Sequence, residues 1–124
     1  MIEIVDSSHT LYAFYLKVEC DRNIEIGRLG NYYFEKGIYI YVGSAKRNIV
    51  ARINRHKQVD KVQKWHFDYL RPYGTVLKII TYETSIGECQ LAEKIRKEDG
   101  GIFPIKRFGS SDCKCYSHLI YIKK

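Results

Sequence analysis

The residues of this 124-residue chain that could do chemistry gather in two stretches. Residues 46–71 hold Lys46, Arg47, Arg52, Arg55, Lys57, Lys61, Lys64 and Arg71 against only Asp60 and Asp68, so this window carries six units of the formal net charge of +7. Lysine and arginine neutralise phosphates and displace their counterions. His56, Trp65 and His66 lie among them, and that mixture of cations and rings suits a phosphate-contacting surface. A solvated helix face would also produce such a run, and an acidic protein or a membrane surface would also attract it. The second stretch is Cys113-x-Cys115-x-x-His118. With Cys89 as a further ligand it could build a Cys₃His tetrahedral zinc site, although Cys-x-Cys is tighter than the usual gap of two to four residues. A disulfide, or reduced cysteines with His118 in a structural hydrogen bond, are the alternatives.

These groups need elements to position them. Residues 10–18 are rich in Tyr and Phe and read as a strand closed by the polar triplet Asp21-Arg22-Asn23. Residues 24–30 supply a short strand and a turn. Residues 37–43 alternate Ile38, Ile40 and Val42 with Tyr39 and Tyr41, the period of a strand, between glycines. Ile49, Ile53 and Lys57 then recur at helical spacing behind Asn48, an N-cap type, which puts Arg52 and His56 one turn apart on a neighbouring face. Residues 65–70 fit either a short helix or an extended segment ending before Pro72. Residues 76–82 predict a third strong strand. Residues 87–97 predict an amphipathic helix with Leu91, Ala92 and Ile95 inward, stopped by Gly100-Gly101. Residues 119–122 could add an edge strand.

No repeat, linker or low-complexity segment interrupts this order. A chain of this length buries roughly two-thirds of its unfolded surface, which suffices for one core without disulfides. With 45% hydrophobic residues, full-length disorder is excluded. The expectation is a single domain over residues 1–124, an α/β (α+β) sandwich with a small, mostly antiparallel sheet of three or four strands flanked by helices. The opening residues include Glu3 and Asp6 where a signal peptide needs a basic start, and no apolar run approaches the ~18 residues of a membrane span. The expected location is the cytoplasm, with no membrane partner. Thiols stay reduced there, so Cys20, Cys89, Cys113 and Cys115 are expected to be free or metal-bound rather than paired.

Four short motifs in order carry a resemblance: Tyr39-Ile40-Tyr41-Val42-Gly43-Ser44-Ala45, Trp65-His66-Phe67-Asp68-Tyr69-Leu70, Glu88-Cys89-Gln90-Leu91-Ala92, and Phe108-Gly109-Ser110-Ser111-Asp112-Cys113-Lys114-Cys115 with His118-Leu119. With Arg52 eleven positions after Tyr41 and His56 four after Arg52, the chain resembles the GIY-YIG nuclease superfamily, in a largely uncharacterised, archaea-rich branch. Gly37-Ile38-Tyr39 spells the first motif of that superfamily but lies on the same strand as Tyr41. The better counterpart is Thr10-Leu11-Tyr12 on the preceding strand, where only the tyrosine survives.

The resemblance implies hydrolysis of a nucleic-acid phosphodiester, DNA first, with one Mg²⁺ or Mn²⁺. It implies that Tyr41, or Tyr12 beside it, orients and deprotonates water. A phenol of ordinary pKa ~10 does so only with a cation to lower it. Arg52 would brace the charge on the phosphorane, and His56 would share proton transfer or hold the phosphate. A carboxylate on the second helix would anchor the metal. Superfamily alignment favours Glu93 for that role, and the narrower branch Glu88. Lys46, Arg47, Arg55, Lys57, Lys61 and Lys64 would contact the nucleic acid. A binding module that has lost efficient cleavage is the alternative, because the first motif is degraded, and a zinc-stabilised adaptor is a third.

Overall fold

The structure is a computed structural model that describes residues 1–83, 85–110 and 115–123. Among the described residues seven strands and three α-helices follow in the order β1 (Ile2–Ile4), β2 (Leu11–Val18), β3 (Arg22–Ile26), β4 (Gly30–Phe34), β5 (Gly37–Ser44), α1 (Ile49–Lys57), α2 (His66–Leu70), β6 (Thr75–Tyr82), α3 (Glu88–Asp99) and β7 (Leu119–Ile122). Five strands form one sheet in the order β1-β6-β2-β5-β7, and β3 and β4 form a separate hairpin. Among the described residues only the β1–β6 pairing is parallel. The fold is therefore α+β, as its interleaved patterns predict, with one strand more in the main sheet than the upper expectation.

The extra strands have local causes. β1 spans three residues, all exposed, too few to display a period. In the triplet Asp21-Arg22-Asn23, Asp21 closes the base of the hairpin by accepting the Lys36 N–H at 2.6 Å, while Arg22 and Asn23 already pair with Phe34 and Tyr33. A polar composition thus disguised the first two residues of a strand.

Both faces of the sheet are covered, which is why β2 and β5 carry apolar residues on both sides. Leu11, Ala13, Ile40, Val42 and Ile120 pack with Leu91, Ala92 and Ile95 of α3. The alternate residues Tyr12, Phe14, Leu16, Tyr39 and Tyr41 pack with Ile49 and Ile53 of α1, Phe67 and Leu70 of α2, and the hairpin's Ile24, Ile26 and Phe34. Asn48 caps α1 by accepting the Ala51 N–H at 3.1 Å. Residues 65–70 resolve to the short-helix alternative. No helix is long and apolar enough to cross a membrane among the described residues.

Candidate active site

Antiparallel pairing of β2 with β5 places Tyr12 opposite Gly43, and Tyr41 two residues before it on the same face. A Cβ on Gly43 would collide with the Tyr12 ring and hydroxyl, so glycine is required for the Tyr12 side chain to lie across β5. The two tyrosine rings are 6.4 Å apart. Tyr39 instead packs on Phe34 and Tyr121 and donates its hydroxyl to the Glu35 carbonyl. A cleft of about 370 Å³ opens beside Tyr12 and Tyr41, and its other walls include Ser44, Arg52, Lys64, Trp65, His66 and Glu88.

Each wall is fixed by a specific contact. Arg52 donates to the Ser44 carbonyl at 3.0 Å, and its guanidinium lies 4.4 Å from the centre of the Trp65 ring. His66 accepts the Gly109 N–H at 2.8 Å, tying α2 to the loop after Phe108. Tyr41 stacks on Phe67, with ring centroids 4.8 Å apart. Glu88 begins α3, accepts from the Ser44 hydroxyl, and lies 3.1 Å from Nδ1 of His118. The His118 contact, more than burial opposes it, holds the Glu88 carboxyl below the usual carboxylate range. Among the described residues Glu88 is the one carboxylate lining the cleft.

Glu93 does not reach it. Five residues of helix rotate a side chain by about 140° and advance it by about 7.5 Å, so Glu93 faces a different surface and pairs with Arg96 and Lys97. Of the two carboxylates expected for a metal, Glu88 borders the cleft and Glu93 does not.

Behind the cleft lies a buried chain of polar groups. The Tyr12 hydroxyl is 2.8 Å from Nε2 of His56, and Nδ1 of His56 faces Asp68 at 3.9 Å. His56 and Asp68 are wholly buried, 0% and 1% exposed. Asp68 accepts both nitrogens of the Arg55 fork, at 3.0 and 2.8 Å, and the N–H groups of Lys64 and Trp65. Burial pushes its carboxyl upward, but these donors outweigh that and leave it below the ordinary range. For His56 burial dominates over the attraction of Asp68, and its pKa falls to about 3. The ring is neutral at physiological pH. The negative field of Asp68 favours the proton on Nδ1, leaving Nε2 to accept from Tyr12. Burial likewise raises Tyr12, with Arg52 pulling only partly against it, and raises Tyr41.

These positions correct two expectations. His56 is enclosed and cannot hold a phosphate; it meets the cleft from behind, through a hydrogen bond to Tyr12 and ring contacts with Tyr41 and Trp65. Half of the suspected nucleic-acid contacts already have partners within the protein: Arg55 neutralises Asp68, Lys61 donates to the Arg55 and His56 carbonyls, and Lys57 pairs with Glu3 at 2.6 Å. Lys64 lines the cleft, and Lys46 and Arg47 are exposed on the turn between β5 and α1. Asp68 is the site residue that composition hid. In the sequence it counts only as an acid in the basic window, and its one signal is an acid within the apolar run Phe67-Asp68-Tyr69-Leu70.

The cysteines depart from expectation too. Cys20 is free and exposed, but Cys89 and Cys115 are joined in a disulfide. Strand β7 and the turn before it bring residues 26 apart in sequence to one place on α3, a proximity that spacing does not encode. Cys113 lies outside the described residues.

The chain belongs to the family described as "Domain of unknown function DUF123", which it matches over residues 11–124. No curated protein and no solved structure matches it.

Proposed function

We propose that this protein is a divalent-metal-dependent endonuclease that hydrolyses phosphodiester bonds in DNA, in the manner of GIY-YIG nucleases. The observation that carries the reading is the convergence of Tyr12, Tyr41, Arg52 and Glu88, from four separate elements, on one polar cleft with Lys64 at its wall. A single partly exposed carboxylate beside hydroxyl groups suits a hard cation that keeps most of its waters and takes the rest of its oxygens from phosphate. Magnesium or manganese held by Glu88 would supply positive charge to the phosphate oxygens.

The chain's own groups do the remaining work. Arg52 is pinned by the Ser44 carbonyl and by Trp65, so its remaining N–H groups are aimed before substrate arrives, and a preorganised donor costs no reorganisation at the transition state. Lys64 adds a second positive charge to the wall, and Trp65 offers an aromatic surface to a base or sugar. Because burial raises both tyrosines, neither is a phenolate at rest. Tyr12 instead stays protonated and donates a hydrogen bond to Nε2 of His56, which turns the oxygen lone pairs toward the cleft to accept a hydrogen bond from the attacking water. His56 is a positioning residue.

The test is nicking of plasmid and branched DNA in Mg²⁺ or Mn²⁺. Arg52→Ala and Glu88→Gln are each expected to lose about 10²–10³ in rate, while Glu93→Gln cleaves like the parent. Undiminished cleavage in the first two variants would refute the assignment. Salt-sensitive binding by the parent protein without any cleavage would favour the binding module.

A further inference from the structure

Beneath the cleft, on the far side of Glu88, three ligating atoms meet: Sγ of Cys89, Sγ of Cys115 and a ring nitrogen of His118, all within 4.8 Å of one another. Nε2 of His118 is 3.4 Å from Sγ of Cys89. In a tetrahedral zinc site with Zn–S of about 2.3 Å and Zn–N of about 2.0 Å, sulfur and nitrogen stand about 3.5 Å apart. The opposite ring nitrogen, Nδ1, is 3.1 Å from Oε2 of Glu88. A zinc-bound histidine commonly gives its other N–H to a carboxylate, which fixes the tautomer and makes the ring a better ligand. Cysteine, cysteine and a carboxylate-braced histidine form a soft donor set that selects zinc over magnesium, so this centre is chemically distinct from the hard-cation position at Glu88.

We propose that Cys89, Cys115 and His118 form a zinc site when the two cysteines are reduced, and that Glu88 links it to the cleft. The disulfide and the metal exclude each other, since two sulfurs sharing a bond cannot both ligate as thiolates. Conversion is balanced: a dithiol gives two electrons and two protons to the Cys89–Cys115 bond and becomes a disulfide itself, and zinc then displaces the two thiol protons. Metal binding holds His118 through Nε2 and aims its Nδ1–H at Glu88, so the carboxylate that faces the cleft is oriented from behind. Cys113 is not part of the assignment. This inference goes beyond the nuclease reading and does not depend on cleavage.

The experiment uses the full chain, reduced with a dithiol and dialysed against zinc. About one zinc per chain is expected. Cobalt in its place should give the thiolate-to-metal charge-transfer absorption, lost in Cys89→Ser and in Cys115→Ser. Glu88→Gln should weaken zinc by about 10- to 100-fold, as loss of a carboxylate behind a ligating histidine does. Should the serine variants fail to fold, the unsubstituted protein still decides: zinc must protect Cys89 and Cys115 from alkylation, read by peptide mass spectrometry. Equal alkylation with and without zinc, or a cobalt spectrum lacking the thiolate band, overturns the proposal. DNA cleavage enters none of these readouts, so failure here and failure of the nuclease reading are separable.

Discussion

His56 offers a prediction whose size follows from its surroundings. The ring is fully enclosed among Tyr12, Phe14, Tyr41, Trp65 and Phe67, with Arg52, Arg55 and Lys61 opposing its protonation and only Asp68 favouring it. Its pKa is lowered from 6.5 to about 3. The folded state therefore binds this proton less readily than the unfolded chain. The contribution of His56 is fully present above pH 6.5 and falls as pH drops, by about 1.4 kcal/mol per unit until the folded pKa is reached. Between pH 7 and pH 4.5 the loss is about 3 kcal/mol, a large fraction of the 5–15 kcal/mol typical of a domain. Asp68 acts with the same sign, but its loss comes chiefly below the ordinary carboxylate range, under this window.

Comparing the parent with His56→Gln isolates the histidine, because glutamine cannot titrate. Urea unfolding followed by the fluorescence of Trp65, the chain's one tryptophan, reads both proteins at each pH. The stability advantage of the parent should shrink by about 3 kcal/mol between pH 7 and pH 4.5. An advantage constant across that range, or an NMR titration placing His56 near 6.5, would refute the enclosure and with it the neutral acceptor for Tyr12.

The basic window can be divided by experiment. Lys46→Ala, Arg47→Ala and Lys64→Ala should each lower the slope of log affinity for DNA against log salt by about 1, with little change in stability. Arg55→Ala should instead cost about 2 kcal/mol in a urea melt by stripping charged hydrogen bonds from buried Asp68. Equal effects of all four on the salt slope would dismantle the division between scaffold and surface. Gly43→Ala should destabilise by about 1–3 kcal/mol, because Tyr12 is buried and cannot yield to a methyl group without disturbing the core. A neutral substitution would show that Tyr12 does not lie across β5.

Local periodicity determined the long elements of this protein. Apolar alternation marked β5, enrichment in Tyr and Phe marked β2, and helical recurrence with caps marked α1 and α3, while the two tyrosines and Arg52 of the cleft were singled out by the resemblance of their motifs to a known family, strand and helix geometry fixing only their faces. The sequence alone also located six of the seven units of net positive charge. What those charges do was a matter for tertiary structure, since composition counts a lysine or arginine equally whether its partner is solvent, a phosphate or a carboxylate brought from another element. Asp68 arrives from α2 to claim Arg55, and Glu3 from β1 to claim Lys57. The choice between Glu88 and Glu93 was of the same kind: both sit on one helix, and the winner is set by which face turns toward Ser44 on β5 and His118 beside β7. So too with the thiols, where compartment suggested reduction and only the return of the chain through β7 brought Cys115 against Cys89. Short-range pattern encodes the face a residue presents, and long-range packing decides what meets it there.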